Sequence, residues 1–164
     1  MKHRITKIKV KKGVYTFGWE TWQESTQSYD AYTLICEDVP REELKLCLQA
    51  LASFVVEICE LHPDDEKRIM VSGITESYKD EKTKYLTITA LKELYTSKSP
   101  LILNTPARPN ADKESDFCMS NGLMRALENL EEEAWRYING DRAQQSLDFE
   151  IKDEDGNVIE DGGV

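Results

Sequence analysis

The sequence predicts an α+β fold, with a mainly antiparallel sheet of five to six strands and two helices packed on one face. Apolar and polar residues alternate through several short segments, which is typical of strands that bury one face. Two longer segments repeat apolar residues every three or four positions, which is typical of helices that cover a sheet. The strand segments follow one another through short turns, which favours antiparallel pairing.

Three strands precede the first helix. Residues 4–11 and 14–22 alternate, Gly13 marks the turn between them, and residues 30–36 continue the pattern. Aromatic residues of the second segment share one face, which assigns them to the core. These residues are Tyr15, Phe17 and Trp19.

The first helix is predicted over residues 39–61, where apolar residues recur at intervals of three and four. Asp38 is placed to cap its first turn, and Pro40 suits that turn because the missing N–H has no partner there. Pro63 ends the helix. The apolar face consists of Leu44, Leu48, Leu51, Val55 and Ile58.

A second block repeats the order of strands and helix. Strands are predicted over residues 68–78, 84–94 and 101–103, and the polar, proline-containing segment 104–110 is expected on the surface. The second helix is predicted over residues 121–139, and Gly140 closes it. Its apolar face consists of Leu123, Leu127, Leu130, Ala134 and Tyr137, and the glutamates expected to face water are Glu128, Glu131, Glu132 and Glu133.

Length and charge set the organisation of the chain. The 164 residues have the size of one ordinary domain, so we expect a single α+β domain over residues 1–140. Residues 141–164 carry eight acids against two basic residues and are expected to form an acidic C-terminal extension, either a hairpin or a flexible tail. The net charge of −10 argues against direct binding of duplex DNA, because duplex binders usually present a basic surface.

The composition also bears on location and chemistry. No apolar run approaches the roughly 18 residues of a membrane span, and the basic start lacks a secretory apolar region, so we expect a cytoplasmic protein. The four cysteines have no Cys-x-x-Cys spacing and are expected to be buried free thiols, with no metal and no cofactor. We find no nucleophile context and no phosphate loop, and therefore expect no enzymatic activity.

The basic first strand beside an aromatic second strand raises the alternative of single-stranded nucleic acid binding, in which bases stack on exposed aromatic rings. Assignment of the aromatic residues to the core is the stronger interpretation. Only Trp22 and the lysines then remain for the surface.

Residues 144–149 fit the spaced Gln-x-x-Leu-x-Phe pattern of peptides that dock on bacterial DNA sliding clamps. The candidate partner-binding side chains are Gln144, Leu147 and Phe149, because such a peptide fills an apolar groove with its Leu and aromatic side chains. The same segment also alternates apolar and polar residues up to Ile151, and Asp155-Gly156 is a favoured hairpin turn. The sequence does not decide between a docking peptide, an edge hairpin and a disordered acidic tail.

Three segments resemble a set of uncharacterised proteins encoded by bacteriophages, prophages and related mobile elements. They are residues 69–73, residues 101–106 and residues 137–144 followed by Leu147 and Phe149. The resemblance implies a phage-type context and assigns no activity. Those proteins more often end soon after a Leu-Phe pair, whereas here Asp148 separates the two residues and an acidic extension follows, which leaves the six-residue form of the clamp pattern.

We therefore expect a non-catalytic accessory protein of a phage or mobile element. Its expected partner is a protein of replication or recombination, with the DNA sliding clamp as the candidate for residues 144–149. The alternative is an inhibitor whose acidic surface occupies a basic site on a host defence or nucleic-acid-handling protein. The sequence does not predict an oligomeric state.

Overall fold

A computed structural model describes residues 2–111 and 115–143, together with the backbone of residues 151–152 and 158–159. It confirms the α+β class and the antiparallel sheet, which has seven strands. The strands and helices in chain order are β1 (His3–Lys11), β2 (Val14–Gln23), β3 (Ser28–Cys36), α1 (Glu42–Gln49), α2 (Ala52–Ile58), a 3-10 helix (Pro63–Arg68), β4 (Ile69–Tyr78), β5 (Lys84–Lys92), β6 (Leu101–Asn104), β7 (Arg108–Pro109), α3 (Asn121–Ile138), β8 (Ile151–Lys152) and β9 (Val158–Ile159).

The main sheet has the strand order β3-β2-β1-β4-β5-β6, and β7 pairs with β5 beside β6. Turns join β1 to β2, β2 to β3 and β4 to β5, so these pairs form local hairpins. The two halves of the chain meet where β1 pairs with β4, with Ile8 opposite Ile74. Both residues are buried, so this junction lies in the middle of the core.

The core lies between one face of the sheet and the helices. All five apolar residues predicted for the second helix are buried, and so are Tyr15 and Phe17, while Trp19 packs half-buried against them. The Phe17 ring stacks on the Tyr137 ring with 4.8 Å between centroids. The predicted apolar faces of β2 and α3 are therefore confirmed.

The prediction of one continuous helix over residues 39–61 is wrong, because the segment forms α1 and α2. Between them the N–H of Leu51 donates to the carbonyl of Leu48 at 3.2 Å, a bond to the third preceding residue rather than the fourth. This tighter turn keeps Leu51 fully buried while it separates the two helices. Glu60 then takes a left-handed φ of 54°, which ends the helical segment before Leu61.

The predicted cap by Asp38 is also wrong. The helix begins at Glu42, its N-cap residue is Arg41, and no side chain caps it. Asp38 instead binds Arg142, which follows α3 in the chain. Pro40 is buried and lies before α1 rather than in its first turn.

The segment 104–110 was predicted to lie on the surface, but part of it enters the sheet. Thr105 is only 4% exposed. Its N–H donates to the carbonyl of Ile88, and its hydroxyl oxygen accepts a bond from the N–H of Ile88, both at 2.9 Å. Thr105 thus completes the hydrogen bonding of β5 between the short strands β6 and β7.

Two local predictions, for Gly140 and for the cysteines, agree better with the structure. Gly140 has a φ of 94°, which confirms the left-handed residue after the second helix. None of the four cysteines forms a disulfide, as expected, but they are half-buried rather than buried. Burial raises the thiol pKa of Cys47 and Cys59.

Candidate functional site

The residues predicted to bind a partner, Gln144, Leu147 and Phe149, lie outside the described residues. The structure does describe the chain up to Ala143, whose N–H donates to the carbonyl of Val39 at 3.0 Å. The predicted docking segment therefore begins one residue after a backbone bond to the body of the domain.

Arg142 reinforces this attachment. Its guanidinium donates to the carboxylate of Asp38 at 2.6 Å and to the sulfur of Cys36 at 3.3 Å. The bond from Arg142 lowers the pKa of Asp38 and so stabilises the ionised carboxylate. The hydroxyl of Tyr137 donates to the backbone carbonyl of Asp38 at 2.6 Å. These bonds hold residues 141–143 at the end of β3.

The described backbone of residues 151–152 and 158–159 supports the hairpin alternative for this part of the tail. Ile151 pairs with Ile159 and Lys152 with Val158, in a two-stranded antiparallel sheet of their own. The residues between them include the predicted Asp155-Gly156 turn and lie outside the described residues. The docking role of residues 144–149 stays a prediction.

The helices cover one face of the main sheet, and the other, which we call the open face, carries exposed side chains. Residues directly opposite on neighbouring strands point to the same face. One cross-strand row on the open face consists of Met70, Leu91 and Ile102. Met70 is 57% exposed and Ile102 is 65% exposed, so this row is an apolar surface without a cover among the described residues.

This row belongs to a larger apolar surface, the apolar corner, at the outer end of β4, β5 and β6. Its members are Met70, Leu91, Leu94, Leu101 and Ile102. A depression of about 330 Å³ opens between Met70, Leu91 and Leu94. Contiguous exposed apolar surface of this kind marks interaction sites more often than isolated apolar residues do.

The rim of the apolar corner is mainly basic. Lys67, Arg68 and Lys98 line the depression, against one acid, Glu93. The Arg68 guanidinium lies 3.5 Å from the centre of the Tyr95 ring, and Tyr95 is 87% exposed. An apolar floor with a basic rim suits an extended segment that alternates apolar and acidic side chains.

The backbone of β6 offers a second means of contact. Leu101 to Asn104 pair with β5 on one side, and among the described strands none pairs with the other side. An edge strand of this kind presents N–H and carbonyl groups to which another chain can add a strand.

A buried ionic cluster of Glu76, Lys84 and Glu131 lies on the helix side of the sheet. The Lys84 ammonium is 2.6 Å from the Glu131 carboxylate and 3.1 Å from the Glu76 carboxylate. Glu76 is only 3% exposed, and neither of its carboxylate oxygens has a well-formed hydrogen bond. The cluster joins the β4–β5 hairpin to α3.

Burial raises the pKa of Glu76 to about 8, with the Glu131 charge as the second cause. Glu76 is therefore mostly neutral at pH 7, and the carboxyl group nearer to the Lys84 ammonium is that of Glu131. Burial alone would lower the pKa of Lys84, but the two carboxylates outweigh it and raise that pKa. The cluster thus contains a buried, mostly neutral acid beside the close contact between Lys84 and Glu131.

This cluster was not predicted from the sequence. Glu131 and Glu133 were expected to face water, whereas both are half-buried, and Glu133 pairs with Arg41 at 3.4 Å. The signal was present in the strands, because Glu76 shares the parity of the buried Ile74. A charged residue at an inward position of an alternating strand indicates a buried ion pair.

Comparison with protein-family models, with curated proteins and with solved structures finds no match for this chain. Among the described residues, no group of three or more His, Cys, Asp and Glu side chains is arranged to hold a metal ion. In the same part of the chain, every helix is too short or too polar to span a membrane.

Proposed function

We propose that this protein is a non-catalytic accessory protein of a phage or mobile element that acts by binding another protein. The observation that carries the proposal is the apolar corner with its basic rim and open edge strand. Apolar side chains such as Met70 and Ile102 gain about 25 cal/mol for each Å² that a partner covers. Covering this apolar surface therefore contributes favourably to the free energy of binding a partner.

The partner we propose is a replication or recombination protein, and the DNA sliding clamp is the first candidate. The Gln144, Leu147 and Phe149 spacing supports this choice. The point at which residues 141–143 attach to the domain supports it too, because β3 ends and β6 begins at the same end of the antiparallel sheet. Five strand spacings of about 4.8 Å place the attachment of the tail about 24 Å from the apolar corner, within the span of one protein interface.

The test is binding of the full-length chain to purified bacterial sliding clamp, measured by calorimetry. Leu147→Ala with Phe149→Ala is expected to weaken binding by roughly 30-fold or more, because two anchoring side chains are lost. Leu46→Ala with Phe117→Ala is the matched control, since it removes the same two residue types from exposed positions elsewhere. Equal losses in the two variants would contradict docking through residues 144–149.

A second double variant, Met70→Ser with Ile102→Ser, tests the apolar corner. Both side chains are largely exposed, so the melting temperature is expected to change by no more than about 2 °C. Clamp binding is expected to weaken by roughly tenfold if the clamp covers the corner. Unchanged binding would show that the apolar corner is not part of the clamp interface.

The alternative function, an acidic inhibitor of a host defence or nucleic-acid-handling protein, is favoured by the charge of the helical layer. The exposed charged residues of the three helices are five acids, Glu42, Glu43, Glu57, Glu128 and Glu132, and three bases, Lys45, Arg125 and Arg136. Partner binding through this surface is expected to weaken steeply with salt. It is also expected to be lost in Glu128→Lys with Glu132→Lys while Leu147→Ala with Phe149→Ala leaves it intact.

A further inference from the structure

The centre of the open face carries a line of lysines, which we call the lysine row. Lys7, Lys9 and Lys11 occupy alternate positions of β1 and are all exposed. β1 has β2 on one side and β4 on the other, so the row crosses the middle of the sheet. Alternate residues of a strand are about 6.8 Å apart, a spacing close to one nucleotide of an extended single strand.

Small and hydroxyl-bearing residues flank the row. Lys7 lies opposite Thr75, and Lys9 lies between Thr16 and Gly73 on the two neighbouring strands. A shallow depression of about 210 Å³ opens here. It is lined by the two lysines and by Ser72, Gly73, Thr75 and Thr89, together with the neighbouring Ile8 and Ile74. The Ser72 hydroxyl donates to the carbonyl of Thr89 at 3.2 Å, and the Thr89 hydroxyl donates to the Asn104 side chain at 2.8 Å. The two ammonium groups and the Thr75 hydroxyl are therefore the donors here that suit a phosphate group, which accepts hydrogen bonds from both kinds of group.

The charge of the row is not neutralised within the described part of the chain. None of the ion pairs there includes Lys7, Lys9 or Lys11. Glu20, an acid on the same face, is bound by Arg4 at 2.7 Å. The open face is therefore locally basic although the whole chain has a net charge of −10. This local charge is complementary to a polyanion.

Aromatic rings lie at the end of the row. The Arg4 guanidinium is 3.6 Å from the centre of the Tyr29 ring, and Trp22 contacts Tyr29 edge-on with 5.0 Å between centroids. Trp22 and Tyr29 are directly opposite on β2 and β3, so they share the open face. Trp22 is half-buried. A line of cations that ends at aromatic rings is the arrangement that holds single strands, with phosphates on the cations and bases on the rings.

We propose that the open face binds single-stranded nucleic acid, with successive phosphates on the lysine row and a base stacked on Trp22. Because the acidic helical layer and tail repel a polyanion at longer range, a single strand that fits within the open face is bound in preference to a duplex. This inference concerns a second ligand and does not depend on the identity of the protein partner.

The test is fluorescence anisotropy of a labelled oligothymidylate of about 20 nucleotides with the full-length chain. Lys7→Gln with Lys9→Gln is expected to weaken binding roughly 25-fold at about 0.1 M salt and to reduce the slope of log K against log salt by about 1.4. Lys45→Gln with Lys79→Gln, two exposed lysines elsewhere, changes the net charge equally and is expected to retain most of the affinity.

Trp22→Leu separates stacking from charge. It is expected to lower the affinity roughly tenfold and to leave the salt slope unchanged. The proposal is overturned by the absence of binding at low salt, or by equal losses in the two lysine pairs. Equal affinity for a duplex of the same length, or competition by polyglutamate as strong as that by unlabelled oligonucleotide, would overturn it as well.

Discussion

Replacing Gly73 with alanine is expected to destabilise the fold by about 3 kcal/mol or more. A Cβ at this position would lie 2.3 Å from the carbonyl oxygen of Ile8 and 3.1 Å from the Cα of Lys9. Both atoms are backbone of β1, which is paired to β2 on its other side and cannot move away without breaking that pairing. A loss of this size lowers the melting temperature of a chain this long by about 10 °C, which calorimetry measures directly.

Gly122→Ala is the matched control for this substitution. The new Cβ would meet the ring of Phe54 at 3.6 Å, an ordinary contact. Gly122 lies in the first turn of α3, where alanine favours the helix, so stability is expected to rise by about 0.5 kcal/mol. If Gly73→Ala melts as the wild type does, the close approach of β4 to β1 is contradicted.

Stability is expected to fall by about 3 kcal/mol as the pH rises from about 5 to about 8. The cause is Glu76, whose pKa is raised from 4.5 to about 8 in the fold. Over this range the unfolded chain has already released most of this proton while the folded protein still holds it, so rising pH favours unfolding. Urea denaturation at several pH values measures the change in the free energy of unfolding.

Glu76→Gln is the control that assigns this pH dependence. Glutamine keeps the shape of the neutral acid and does not titrate, so the variant is expected to be nearly as stable as the wild type at about pH 5 and to lose the decline. The raised pKa of Lys84 and the lowered pKa of Asp38 affect stability outside this range. A decline that persists in Glu76→Gln would show that other groups cause it.

The fold was largely predictable because its strands and helices have clear periodicities. β1, β2, β4 and β5 lie within one or two residues of their predicted bounds, and the buried face of α3 was predicted in full. Each of these elements contacts the core through one face. The regular spacing of apolar residues that marks such a face can be recognised in the sequence. The same reasoning gave the side of the sheet on which the aromatic residues lie.

Features that depend on contacts distant in sequence were not predictable in this way. The apolar repeat continues unchanged through Leu51, so it did not reveal the turn between α1 and α2. Asp38 has the residue type of a helix cap, but Arg142, 104 positions later, binds it instead. The apolar corner and the lysine row each combine several strands, so their residues come together only once the strand order is known.

The hydrogen bond between Ala143 and Val39 limits the distance from the domain at which the tail can hold a partner. Phe149 is six residues beyond Ala143, and a fully extended chain of that length reaches about 20 Å. A protein bound to Phe149 therefore stays near the start of α1. Its effective concentration at the domain surface is high. Even a weak second contact with that surface then adds to the affinity of the first contact. Lengthening the connecting segment with glycine and serine residues is expected to lower the effective concentration and to reduce this gain in affinity.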